Sequence, residues 1–140
     1  MFSFLLSIFT GKKRRRAEVM IGRKSFNAIL AISSAEKALG LGGMKSIGNN
    51  ECMLFISKEE SKMGIWGLNM KFPIDVIWIG ENMKIVDIKK NIEPCVCVFC
   101  CRVYKPRKGA KYVVEVNKGI ADKFNINIGT RIALSNSSVW

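Results

Sequence analysis

Histidine is absent from all 140 residues, proline occurs three times, and acidic side chains number 11 against 23 lysines and arginines. Without imidazole the chain has no ordinary general base, no Ser-His or Cys-His nucleophile pair, and no zinc site of the kind that needs histidine. Long apolar runs are missing too. The N-terminal run over residues 1–10, apolar at 2, 4, 5, 6, 8 and 9, has about half the ~20 residues a membrane-crossing helix needs. Its positive charge follows the apolar stretch, the reverse of a secretion signal. Residues 40–50 hold four glycines but lack the strand-then-helix setting of a phosphate loop, and are expected to form a plain loop.

What is present fits one folded unit. A length of 140 residues, 49% hydrophobic and 24% charged, supports a single core of ordinary globular composition. The net charge of +12 is clustered: residues 1–24 carry seven of the 23 basic side chains against one acid, Glu18. Lys12, Lys13, Arg14, Arg15 and Arg16 are consecutive, and Arg102, Lys105, Arg107, Lys108 and Lys111 form a second stretch with no acid between them. An apolar decamer followed by five cations is the two-signal arrangement of a peripheral membrane anchor. Residues 1–24 are therefore expected to be a tail dispensable for folding, with residues 1–16 meeting an anionic membrane surface, and residues 25–140 to form the domain. Both basic stretches also suit phosphate, and Tyr104 places an aromatic among the second, so RNA is the alternative partner.

Hydrophobic patterning predicts a β-rich α+β fold, a small barrel-like antiparallel or mixed sheet with one or two short helices. Strands are expected at Phe26–Ile32, Cys52–Ile56, Gly64–Leu68, Ile74–Ile79, Lys84–Lys89, Ala110–Val116 and Arg131–Leu134. Gly80–Met83 is a hairpin connection. Ser33 with Glu36 three residues on is a capping box, Gly40 is placed to stop that helix, and a second short helix is expected around Gly119–Phe124.

Asp75 sits inside an apolar strand on the face of Ile77 and Ile79, where a carboxylate needs hydrogen bonds or a partner. Two roles fit: accepting backbone N–H groups to close a corner, or serving as a pocket carboxylate with Trp66 as a wall and Asn69 or Glu115 nearby. Paired acids would permit acid/base work in a small pocket enzyme. Trp66 and Trp78 are both expected in the core. Of the five cysteines, four fall at Cys95, Cys97, Cys100 and Cys101. Cys97-Val-Phe-Cys100 has the spacing of a metal or redox pair, but the segment also alternates as a strand, and one seven-residue run lacks the two separated pairs of a tetrahedral site. Burial as small hydrophobes is preferred over metal ligation or redox pairing. The odd cysteine total and the lack of a secretion signal point to a reducing cytoplasm. No cofactor is implied.

From Phe26 onward the order of motifs resembles the family known as domain of unknown function 192, or uncharacterised protein family 0127. The resemblance rests on Ala38 with Gly40-Leu41, Met53-Leu54-Phe55, Trp66 followed by Phe72-Pro73-Ile74-Asp75-Val76-Ile77, Ile85-Val86 with Pro94, Tyr112-Val113-Val114-Glu115, and Gly119. It implies a compact β-barrel-like domain and no agreed activity. The chain departs from the family pattern at Trp66-Gly67-Leu68-Asn69, where relatives tend to have Trp-Met-Lys-Asn, and at Gly129-Thr130, where they have Gly-Asp. Taken together, these features favour a noncatalytic binding or accessory module acting on an unidentified small ligand or protein.

Overall fold

A computed structural model describes residues 14–135. Among these residues there are seven strands, β1 (Arg16–Ile21), β2 (Lys24–Ala31), β3 (Glu51–Ser61), β4 (Ile74–Ile79), β5 (Ile85–Ile92), β6 (Ala110–Asn117) and β7 (Ile132–Ser135), and two short helices, α1 (Ser34–Leu39) and α2 (Ile120–Lys123). The strands form one mixed sheet in the order β5-β4-β6-β3-β2-β1-β7. β2 and β3 pair in parallel, which obliges the chain to cross over between them. The crossover carries α1 and the glycine-rich loop.

The sheet stays open, so "barrel-like" holds only loosely. Its two edges meet at one corner, where Lys84 bridges Arg131, Ile85 N–H donates to the Thr130 carbonyl and Gly129 N–H to that of Ile85. Gly129 takes φ +88° there, a conformation that favours glycine.

Strand alternation sends side chains into two cores, one on each face. One holds Val19, Phe26, Leu54, Ile77, Ile79, Val114, Val116 and Ile120; the other holds Leu41, Ile47, Met53, Phe55, Ile65, Ile74, Val76 and Trp78. All six residues of β4 are buried, each aliphatic side chain contributing about 1.5–3 kcal/mol. This burial on both faces explains why β4 reads as one continuous apolar run.

The capping box is present as expected: Glu36 N–H donates to Ser33 Oγ at 3.1 Å, and Ser33 N–H to Glu36 Oε2 at 3.0 Å. Three expectations change. The boundary before Ser25 falls inside the β1–β2 hairpin, because Arg16–Ile21 pairs with both β2 and β7 and buries Ala17, Val19 and Ile21. Residues 14–24 therefore belong to the folded unit. Lys12, Lys13 and the apolar decamer lie outside the described residues. Gly64–Leu68 is not a strand; it makes two isolated bridges, Ile65 with Tyr104 and Leu68 with Cys95, to an irregular strap that follows β5. Finally, residues 95–101 turn rather than extend. A disulfide joins Cys95 to Cys101 with the Cα atoms 5.6 Å apart, whereas an extended chain of that length would span roughly 20 Å.

Candidate functional site

Asp75 and Glu115 occupy adjacent strands but opposite faces. On β4 and β6, Asp75 stands across from Val116 and Val76 across from Glu115. Residues opposed in an antiparallel pair share a face, so the two carboxyls project into different cores. The sheet therefore rules out an acid pair built from them.

Asp75 has the corner-closing role. Its Oδ1 accepts from Asn91 N–H at 3.0 Å, and its Oδ2 accepts from Gly119 N–H at 3.0 Å and Ala121 N–H at 3.1 Å. The N-cap of α2 is Gly119, which has no side chain to cap with. A carboxylate on β4 does so in its place, joining α2 to the end of β5 across the core.

Glu115 is different. It is buried at 4% exposure between Met53 of β3 and Val76 of β4, and among the described residues its Oε2 is the buried side-chain oxygen with no hydrogen-bond partner. Burial alone pushes its carboxyl up to about 8, so at neutral pH it holds its proton and is a hydrogen-bond donor.

Glu115 lines a cleft of about 320 Å³ between α1 and residues 64–70. Leu41 and Phe55 supply one wall, Ile65, Leu68 and Met70 the other, with Trp66 and Lys37 also lining it. Trp66, expected in the core, is 37% exposed, whereas Trp78 is buried as expected and donates Nε1–H to the Met63 carbonyl at 2.9 Å. Desolvation lowers the Lys37 ammonium below its ordinary value, and Lys37 donates to Ser57 Oγ at 3.1 Å.

Asn69 is not in the lining. It adopts φ +59° and works through its backbone, donating to the Cys95 carbonyl at 3.1 Å and accepting from Gly43 N–H at 3.2 Å. The preceding Gly67 explains one departure from the family pattern. A Cβ at this position would sit 2.1 Å from the Glu93 carbonyl oxygen, because the strap passes directly against it, Cys95 N–H donating to the Gly67 carbonyl at 2.9 Å.

The basic stretches are partly neutralised within the chain. Arg15 pairs with Glu36, Arg16 with Glu51, Arg107 with Asp87 and Lys111 with Glu81. Arg102 lies 5.1 Å from the centre of the Tyr104 ring, and Lys89 lies 5.2 Å from it, a cation–π arrangement. Arg14 is half-buried, while Lys105 and Lys108 are exposed. Asp87 accepts from Arg107 N–H at 2.8 Å and from Ile88 N–H at 2.9 Å; burial alone would raise its carboxyl, but these bonds and the guanidinium together outweigh it and hold the carboxyl below the ordinary value.

The cysteines depart from expectation as well. Cys97 is half-buried and Cys100 exposed, both free, and only Cys52 is buried. Linking Cys95 to Cys101 leaves two thiols, so a four-thiolate site is not assembled. Among the described residues no cluster of three or more cysteines and carboxylates could hold a metal, and no helix is long and apolar enough to cross a membrane.

The chain is 30% identical over 82 residues to a UPF0127 protein of Pyrococcus furiosus and 33% identical over 86 residues to one of Thermococcus sibiricus. The matches cover 57% and 59% of this chain and only 65% and 51% of those relatives. The fold superimposes on a Sinorhizobium meliloti protein described only provisionally, as a transcription regulator, with TM-score 0.81, 22% identity, and 89% of this chain and 97% of that one covered. It also superimposes on a protein of unknown function from Novosphingobium aromaticivorans, with TM-score 0.78, 26% identity and 84% of each chain covered. The family model described as an uncharacterized ACR, DUF192, matches residues 17–134, taking in β1 and the cysteine loop that the motif resemblance left out, and the chain belongs to that family.

Proposed function

We propose that the chain is a noncatalytic binding module whose cleft takes a small, largely apolar ligand carrying a hydrogen-bond acceptor. The observation that carries this is the partnerless Oε2 of Glu115, a residue that lines a mainly apolar cleft also bordered by Lys37. A neutral carboxyl buried without a partner costs about 1–3 kcal/mol, and a ligand carbonyl or ether oxygen would recover that cost. Trp66 would close over the ligand with its ring, and Lys37 adds a cation beside the cleft. The acid pair on which an enzyme reading depended is absent, which leaves Glu115 as a binding group.

The test is a thermal-shift screen of neutral carbonyl-bearing compounds on the full chain, since a ligand selective for the folded state raises its melting temperature. Hits should lose their shift in Glu115→Met, which keeps the volume and removes the donor, and should fade above pH 8 as the carboxyl ionises. Hits that bind Glu115→Met as well as the parent would refute the assignment.

The setting proposed for this module is an anionic membrane surface, met through residues 1–16. With Arg15 and Arg16 engaged by Glu36 and Glu51, Lys12, Lys13 and Arg14 bear most of that role. Binding to anionic vesicles should weaken with salt and with neutralisation of those three. Binding that ignores both would remove it.

A further inference from the structure

Beyond the cleft, the surface carries a second assembly that neither the fold nor the proposed binding role uses: a tight loop with two free thiols at its tip. Cys100 N–H and Cys101 N–H both donate to the Cys97 carbonyl, at 3.0 and 2.9 Å, so residues 97–101 form a single helical turn. That turn brings Cys97 and Cys100 close together on one side of the loop, where hydrogen bonding from the Cys100 side chain and from the Phe99 and Cys100 backbone favours the Cys97 thiolate. The base of the loop is closed by the Cys95–Cys101 disulfide. It is fastened to the body by Cys95 N–H on the Gly67 carbonyl and Asn69 N–H on the Cys95 carbonyl. Two thiols three residues apart in a pinned turn are pre-organised to close a disulfide with little backbone movement.

The two sulfurs are not equivalent. The three hydrogen bonds to Cys97 stabilise a thiolate there and hold that thiol below its ordinary value, while Cys100, the donor to it, is pushed up. An attacking thiolate beside a thiol that stays protonated is the division of labour that thiol–disulfide exchange requires. Around them the surface is unusually apolar: Phe99 is 100% exposed, Val96 92%, Val98 56% and Val103 48%. Exposure of this kind, concentrated within eight residues, marks a contact site rather than ordinary surface.

We propose that Cys97 and Cys100 form a thiol–disulfide exchange site that reduces a disulfide in a polypeptide bearing apolar side chains beside its sulfurs. Cys97 Sγ, as thiolate, attacks one substrate sulfur; the substrate S–S bond breaks, and one cysteine leaves as thiolate while a mixed disulfide forms. Cys100 then attacks Cys97 Sγ, its proton passing to the departing thiolate through solvent, and the second substrate cysteine is released. Two substrate thiols are produced, and Cys97 and Cys100 are oxidised to one disulfide. A small-molecule thiol reductant returns them to the dithiol. Phe99, Val96 and Val98 select the substrate through its apolar flank.

The test starts from full-length protein in which peptide mapping finds Cys95–Cys101 linked and Cys97 and Cys100 free. With an aromatic disulfide, dithiobis(nitrobenzoate), the parent should release two thionitrobenzoate ions per chain and keep no adduct. Cys100→Ser should release one and retain an adduct on Cys97. Cys97→Ser should react about tenfold more slowly. Cys52 is an internal control, its thiol buried and pushed up to about 12. With Cys100→Ser, a disulfide-bonded peptide with phenylalanine beside each cysteine should be trapped about tenfold faster than glutathione disulfide, and Phe99→Ser in that background should abolish the preference. Should a cysteine variant misfold by circular dichroism, pH-dependent alkylation of the parent with mass-spectrometric site assignment measures the same asymmetry. Equal reactivity of Cys97 and Cys100, two retained adducts on the parent, no preference for the apolar peptide, or failure to find the starting state would each overturn the proposal.

Discussion

Replacing Glu115 by glutamine gives the sharpest test of the cleft chemistry, because it exchanges a protonated acid for a neutral side chain of nearly the same shape. In the unfolded chain this carboxyl titrates at its ordinary value of 4.5; in the folded protein burial raises it to about 8. The folded-state value is the higher one, so the group's contribution is fully present below pH 4.5 and is lost as pH rises through about 8. Within that window the folded chain keeps a proton that the unfolded chain has released, and stability falls by about 1.4 kcal/mol per pH unit. By pH 7 the loss is roughly 3 kcal/mol. Glutamine titrates nowhere in this range and escapes the loss, although its second donor adds a buried group worth about 1–2 kcal/mol if unpaired. Glu115→Gln should therefore be slightly less stable than the parent near pH 4.5 and more stable by roughly 1–2 kcal/mol at pH 7. The change in the difference between those pH values is independent of the amide cost. At about 3–4 °C per kcal/mol for a domain of this size, the gap in melting temperature should move by about 10 °C between pH 4.5 and 7 and level off above pH 8. Calorimetry or denaturant titration at matched pH measures it directly. Parallel pH profiles for the two proteins would mean that Glu115 is ionised in the folded state, and both its buried neutral form and its donor role would be refuted.

Asp75→Ala should destabilise by about 3 kcal/mol or more, since it strips the acceptor from three N–H groups, two of them at the start of α2. Denaturant unfolding measures this, and a loss under 1 kcal/mol would show that water replaces the carboxylate. Gly67→Ala should cost roughly 1–3 kcal/mol and free the strap, because its Cβ would lie 2.1 Å from the Glu93 oxygen. Faster amide exchange at Asn69 and Cys95 in this variant is the accompanying sign, and unchanged protection there would contradict the close approach.

Elements with a local cause were legible in the sequence. The Ser33–Glu36 box fixes the start of α1 because both hydrogen bonds span three residues. The apolar run Ile74–Ile79 read as a strand with at least one face in the core, and Asp75 within it needed hydrogen bonds or a partner, leaving open whether backbone donors or a pocket supplied them. The donors themselves, at residues 91, 119 and 121, come from distant parts of the chain, and only the folded sheet supplies them. The tail boundary failed for the same reason: the cations at 14–16 suggested a solvated segment, while the alternation of Ala17, Val19 and Ile21 acquires its meaning from β2 and β7, which sandwich β1. Gly64–Leu68 has strand composition, but its partner is an irregular strap reached through two isolated bridges. Glu115 was named beside Trp66, and the cleft does unite them; the proposed partnership with Asp75 fails because sheet register, set by strands far apart in sequence, sends the two carboxyls to opposite faces. The cysteine cluster shows the limit most directly. Its spacing was compatible with burial, metal ligation or a redox pair, and the choice fell to a turn whose closure between Cys95 and Cys101 depends on where the strap is pinned against Gly67. Composition, periodicity and the Ser33–Glu36 box determined a β-rich domain with short helices, the first of them capped locally, because those properties act between neighbours in the chain. Which polar groups face one another was decided by tertiary structure, because register and crossover bring together residues that local sequence does not relate.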